Sequence, residues 1–325
     1  MRIRSVFAAL MLVCIPLLSQ TARQPETWLP LSIAQMRFEP AQPLLGGKAV
    51  HPDYTREVVR VEWRKGDPID LYIVRPVNVA KPPVILFLYS WPADTDRFGS
   101  EAWCRAVTQH GFAAVGFVSA LTGERYRSRP WKEWFVSELP EAVGKSVHDV
   151  QLLLNYLDAR GDMDMSRAGM FGQGSGGTVA LLAASVDPRL KAVDVIDPWG
   201  DWPDWYAGSP IIPDSLRTSY TDAEFQKQLI PFDPVYTLPK LASGTVRVQQ
   251  TMLNPTTPSA AKERIQQALP AGMSYVFYAS EEDYRSHSME RNKILDWLES
   301  HLSGPAAVQG GSGVNEAAAR NAGQN

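Results

Sequence analysis

The stretch Met170-Phe171-Gly172-Gln173-Gly174-Ser175-Gly176-Gly177-Thr178 constrains this chain more than any other. A short apolar run ends in it, a glycine-dense turn follows, and Val179-Ala180-Leu181-Leu182 predicts a helix behind the turn. Strand, sharp turn and helix, in that order, is how a parallel α/β sheet presents chemistry at its carboxyl edge. The glycines have a mechanical role. A turn that tight needs positive φ and neighbours without side chains, and the helix start must press against the strand. Two unrelated kinds of site are built on such a turn, and the flanking chain has to choose between them.

Upstream, residues 56–63 alternate Val59, Val61 and Trp63 with charged partners, Lys65-Gly66-Asp67 signals a turn, and residues 69–74 alternate again. That pattern predicts a β-hairpin. Pro82-Pro83 then introduce residues 84–88, a continuous apolar run suited to a strand buried on both faces. From there helix and strand alternate. A helix is expected over 102–110, ended by Gly111, and a strand over 112–118. Ser146 with Asp149 resembles a capping box, predicting a helix that starts there, carries Val147, Val150, Leu154 and Leu157, and stops at Gly161. Strands follow over 167–171, 190–196, 245–253 and 275–278, with helices over 178–185, 260–269 and 287–302.

Residues 198–243 break this rhythm with Trp199, Trp202, Trp205 and several prolines, and are expected to form a lid-like insertion over the carboxyl edge. The predicted fold class is α/β: a mostly parallel sheet with an antiparallel N-terminal hairpin and helices on both faces. It spans residues 55–302 as one domain. An extended arm, 23–54, precedes it, and the Gly, Ala, Ser and Asn composition of 303–325 predicts a disordered tail.

Residues 1–22 have the pattern of a signal peptide, with Arg2 and Arg4 ahead of an apolar stretch over 6–18 that is too short to span a bilayer. The expected address is therefore periplasmic or extracellular, with no transmembrane segment once the signal is removed. Its loss takes Cys14 with it and leaves Cys104 as the only cysteine, which excludes an intramolecular disulfide or a cysteine-based metal site. A net charge of −3 gives no basic field for nucleic acid. No His-x-His and no helical histidine pair signals a metal, and no cofactor is expected. His51, His110, His148 and His301 are expected at the surface, and Arg125, Arg127 and Arg129 in a solvated loop.

The order of these elements resembles the α/β-hydrolase superfamily, most of all its dienelactone-hydrolase, acetyl-esterase and prolyl-oligopeptidase branches. Within it, residues 162–184 are similar to the nucleophile elbow, where a serine sits at the tip of the turn between flanking glycines. Anchoring Gly172 and Gly176 on those glycines puts Gly174 at the nucleophile position. Ser175 then begins the helix, its amide an oxyanion donor. Anchoring on Ser175 instead leaves Gln173 where the turn wants a small residue. Asn254, in Leu253-Asn254-Pro255, stands at the family's usual acid position, while Asp197 matches the place where some members carry the acid one strand earlier. His287 follows the last strand, as the family's histidine does. Tyr89-Ser90-Trp91-Pro92 stands where the family commonly has His-Gly after the first buried strand.

The resemblance implies an ancestral serine-dependent hydrolysis of an ester or amide. Ser175, His287 and Asp197 are the remaining catalytic candidates, with Asp197 or Asn254 orienting the imidazole. The altered elbow also allows a non-catalytic reading, in which the cleft binds a small-molecule ester, amide or sugar-like ligand and the three tryptophans supply stacking surfaces. A rival from another class is dinucleotide binding, because Gly172-x-Gly174-x-x-Gly177 satisfies G-x-G-x-x-G and Asp197 ends the next strand. That fingerprint normally opens the first βαβ unit, whereas here a hairpin and further strand–helix units precede it.

Overall fold

The computed structural model describes residues 26–38, 42–121, 125, 135–252, 254–286 and 293–303. The expected signal peptide (1–22), Arg127, Arg129, His287 and the residues past Ser303 lie outside the described residues.

Alternate residues of the central apolar run feed two different cores. Strand β4 (Pro83–Leu88) is buried along its whole length. Val84, Leu86 and Leu88 point into one core, Ile85 and Phe87 into the other, as the two-residue period of a strand dictates. Around β4 a nine-stranded sheet forms in the order β1-β2-β3-β5-β4-β6-β7-β8-β9. Its other strands are β1 (Leu44–Val50), β2 (Tyr54–Glu62), β3 (Pro68–Pro76), β5 (Ala113–Phe117), β6 (Asp164–Gln173), β7 (Leu190–Ile196), β8 (Val246–Thr251) and β9 (Ser274–Tyr278). The first three run antiparallel, β3 joins β5 antiparallel, and pairing from β5 through β4 to β9 is parallel. Gly66, at φ 76°, closes the β2–β3 hairpin in the register that opposes Glu62 to Pro68.

The main helices are α1 (Glu101–Gln109), α2 (Leu139–Arg160), α3 (Ser175–Ala184), α4 (Trp202–Gly208), α5 (Asp214–Tyr220), α6 (Ala223–Leu229), α7 (Ser259–Gln267) and α8 (Lys293–Leu302). Apolar residues of α2 and α3 fill one core, and those of α1 and α8 fill the other. No helix among the described residues is long and apolar enough to cross a membrane. Because β5 lies on one side of β4 and β6 on the other, the strand order reverses at β4, and the carboxyl ends of β4 and β6 mark the switch point of the sheet.

Several local expectations are corrected. The arm contributes an edge strand, β1, whose side chains are almost all exposed; it is held by backbone pairing to β2 and so has no apolar period. Helix α2 starts at Leu139, not at Ser146. The Ser146 hydroxyl donates to the Ala142 carbonyl (2.8 Å) and accepts from the Ala120 N–H (3.0 Å), so it braces the helix interior. Asp149 is fully buried and pairs with both Arg64 and Arg125. Arg125 is therefore no solvated loop residue: it is 2% exposed and also forks onto Asp67. His148 is buried as well, placed between Glu26 (2.7 Å) and the Pro30 carbonyl (3.0 Å). Glu26 also engages Arg64, so the arm and the hairpin are tied to α2 through one charged network.

Candidate functional site

Strands β4, β6, β7 and β8 end side by side, and the residues just beyond them form the site. Gly174 follows β6 as the N-cap of α3, with φ 53° and ψ −120°. A side chain in that conformation is strained by about 1–3 kcal/mol, which glycine avoids. The turn is fixed by hydrogen bonds. The Gly174 N–H donates to Ile196 O (2.9 Å), and its carbonyl accepts from the N–H groups of Thr178 (3.1 Å) and Trp199 (3.3 Å). Behind it, a Cβ on Gly176 would lie 2.0 Å from the Leu88 carbonyl oxygen, so the helix start packs on the end of β4 only as glycine. The tip of the turn is thus Gly174, the register expected from Gly172 and Gly176.

The space above the tip is filled from the β4 loop and the insertion. A Cβ on Gly174 would meet Ser90 Oγ at 2.3 Å, Ser90 Cβ at 2.8 Å and Trp199 Nε1 at 3.3 Å. Ser175 is the first residue of α3 and is 2% exposed. Its Oγ accepts the Trp91 N–H at 2.9 Å, so the hydroxyl is turned toward the β4 loop.

Asp197, in the left-handed region at φ 45°, follows β7 and is 3% exposed. It faces β8. Oδ1 accepts from the Thr251 N–H (2.8 Å), and Oδ2 from Thr251 Oγ1 (2.7 Å) and Asn254 Nδ2 (3.1 Å). Lys262 Nζ stands 4.0 Å from Oδ1 and donates to the Asn254 carbonyl at 2.8 Å. Burial pushes the Asp197 carboxyl pKa up, and the Thr251 donors and Lys262 offset that only in part. Burial likewise pulls the Lys262 ammonium down, against the attraction of Asp197. Asp197 and Asn254, alternatives in the sequence for orienting His287, are therefore bonded to each other. His287 itself is outside the described residues. Ser175 and Asp197 turn toward different loops.

Trp199, Trp202 and Trp205 are each 1% exposed or less, packed edge and face on one another and on Tyr206. They form the core of the insertion and present no open face for stacking on a sugar. The dinucleotide reading gains no support, since both Asp197 oxygens are engaged within the chain. Among the described residues, His110, Asp296 and Glu299 lie close enough to hold a cation. His110 lies just before β5, at the opposite end of the strands from the elbow, and Asp296 and Glu299 reach it from α8, with His110 Nδ1 2.7 Å from Glu299. Sequence reasoning did not single out Ser90 or Trp199 as partners of the elbow; the departure at Tyr89-Ser90-Trp91-Pro92 was the available signal for Ser90.

No protein-family model matches the chain, and no curated protein matches it by sequence. Solved structures do. An acetyl xylan esterase from a Paenibacillus species superposes with a TM-score of 0.62 at 18% identity, covering 81% of this chain and 90% of that one. Acetyl xylan esterase 1 from a Thermoanaerobacterium species gives a TM-score of 0.62 at 12% identity, over 82% of this chain and 89% of that one. The acylaminoacyl peptidase of Pyrococcus horikoshii gives 0.58 at 13% identity, over 83% of this chain and 51% of that one. With its antiparallel start, its parallel sheet covered on both faces and its glycine-tipped elbow after β6, this chain has the α/β-hydrolase fold.

Proposed function

We propose that this chain is an exported protein descended from serine-dependent ester or amide hydrolases, and that its elbow now binds a small molecule without cleaving it. The observation that carries this is Gly174 at the tip of the turn, with Ser90 in the place of a nucleophile's side chain. Two further features support it. The Ser175 hydroxyl is buried and accepts the Trp91 N–H, one of the backbone donors that an oxyanion would otherwise use. Asp197 is held by Thr251 and Asn254. Structural likeness to acetyl xylan esterases supports the ancestral reaction class, and the Arg2, Arg4 and apolar 6–18 pattern supports export.

The test is labelling of the purified mature protein with a fluorophosphonate, which reports an activated serine. No labelling is expected. Labelling that disappears in Ser90→Ala or in Ser175→Ala overturns the non-catalytic reading and names the nucleophile. Export is checked by sequencing the N-terminus of the protein recovered outside the cytoplasm, which should begin near residue 23.

A further inference from the structure

Helices α1 and α8 cover the same core: Cys104 and Val107 of α1 and Leu295, Leu298 and Leu302 of α8 are all buried in it. Where α1 ends, His110 is its C-cap, with its N–H bonded back to Val107 O at 3.2 Å, and Gly111, at φ 78°, turns the chain into β5. The imidazole is thereby held against α8, and Asp296 and Glu299, neighbours on one helix face, reach it. Glu299 Oε2 lies 2.7 Å from Nδ1, and Asp296 Oδ1 lies 3.9 Å from Nε2, too far for a hydrogen bond. One ligand atom from each of the three residues falls within 4.8 Å of the other two. A common point thus lies within about 2.8 Å of all three, and small side-chain rotations bring it to the ~2.0–2.2 Å of a metal–nitrogen or metal–oxygen bond. Among the described residues, neither carboxylate has a lysine or arginine partner. Two negative charges therefore face one imidazole, which balances at most one of them.

We infer that His110, Asp296 and Glu299 form a zinc site that fastens α8 to the end of α1, with water completing a four-coordinate ion. A divalent cation balances both carboxylates while the ring stays neutral, the form in which imidazole is a ligand. The nitrogen donor selects against magnesium and calcium, which take oxygen ligands, and one imidazole with two carboxylates is a donor set that zinc accepts. Zinc also imposes no d-electron geometry, which suits ligands drawn from two separate helices. The site lies at the opposite end of the strands from the elbow and is independent of how the elbow is read. Its role is structural: it joins two elements far apart in the chain that are otherwise held only by their shared core.

The experiment is calorimetric titration of the full mature chain with zinc chloride at neutral pH, after dialysis against EDTA and then against chelator-free buffer. One saturable equivalent is expected, together with a melting temperature that rises with zinc and not with magnesium or calcium. His110→Gln and Glu299→Gln should each weaken binding by about a hundredfold or more, because loss of an outer partner of a metal ligand already costs about 10–100-fold. Asp296→Asn, at an exposed position, provides a further variant should His110→Gln fold poorly. His301→Gln, which changes an exposed histidine of the same helix outside the cluster, should leave the affinity unchanged. No saturation below about 0.1 mM zinc, magnesium bound as tightly as zinc, or zinc affinity unchanged in the ligand variants overturns the inference. The last of these would mean that zinc binds adventitiously at other side chains.

Discussion

The Ser90 hydroxyl lies 2.3 Å from the point that a Cβ on Gly174 would occupy, so the loop after β4 and the tip of the elbow compete for one volume. The absence of a side chain at Gly174 and the presence of one at Ser90 are two halves of a single packing arrangement. Ser90 Cβ at 2.8 Å and Trp199 Nε1 at 3.3 Å close the space further.

Placing a serine at the tip of the elbow alone should therefore fail to create a nucleophile. Gly174→Ser acquires backbone strain of about 1–3 kcal/mol and overlaps Ser90, so a lower melting temperature and no fluorophosphonate labelling are expected. Adding Ser90→Gly removes the overlap. The double variant should be more stable than the sum of the single changes predicts, by about 1 kcal/mol or more. Strictly additive melts would show that the two side chains do not share the space.

The network around Asp149 is the part of the fold most sensitive to loss of one charge. Asp149 pairs with Arg64 and Arg125, and burial opposes its ionisation while the two guanidinium groups hold its pKa below the usual value. Asp149→Ala leaves both cations without their shared partner and should cost about 3–5 kcal/mol in urea unfolding. Asp70→Asn, which breaks a pair whose Arg60 side chain is 54% exposed, should cost about 0–1 kcal/mol. Similar losses in the two variants would refute the ranking.

Much of this arrangement is legible in the residues, and the failures have a common physical cause. The Lys65-Gly66-Asp67 turn, the apolar run of β4, the stop at Gly161 and the elbow register all depend on local geometry, which local spelling records. Ser146 and Asp149 spell a capping box equally well, but their partners are Ala120, Arg64 and Arg125, brought in from other elements. Strand β1 shows no period because it buries hardly any side chain. His148 passes for a surface histidine until Glu26 arrives from the arm. At the candidate site, the turn at Gly174 and the strand end before Asp197 are legible from local spelling. Ser90 and Trp199 are not, since their roles come from loops approaching through space.

Glu26 should set the acid limit of the arm's attachment. Burial works to raise its pKa, but the bonds from His148 and Arg64 outweigh that and hold it at about 2, below the ordinary 4.5. A depressed carboxylate pKa contributes stability that is present above the unfolded-state value and is lost as pH falls through the folded one. Stability contributed by this group should thus decline between pH 4.5 and about 2. Glu26→Gln should be less stable than the parent at pH 6, with the gap shrinking on acidification. A gap independent of pH in thermal melts would remove Glu26 from the network's energetics.

Asp201 should act in the opposite sense. It is buried with φ 50°, and among the described residues its Oδ2 has no hydrogen-bond partner. Burial first, and then the neighbouring Asp204 and Asp233, push its carboxyl up to about 7 from the ordinary 3.8. A raised carboxyl pKa means that the folded state holds the proton more tightly than the unfolded chain. The contribution is complete below the unfolded value and is lost as pH rises through about 7. Asparagine keeps the shape, tolerates the left-handed backbone and stays neutral. The melting temperature of Asp201→Asn should therefore gain on that of the parent between pH 5 and pH 8, as ionisation of the buried acid destabilises only the parent. Parallel curves across that range would mean that the carboxyl ionises as readily in the fold as in the unfolded chain.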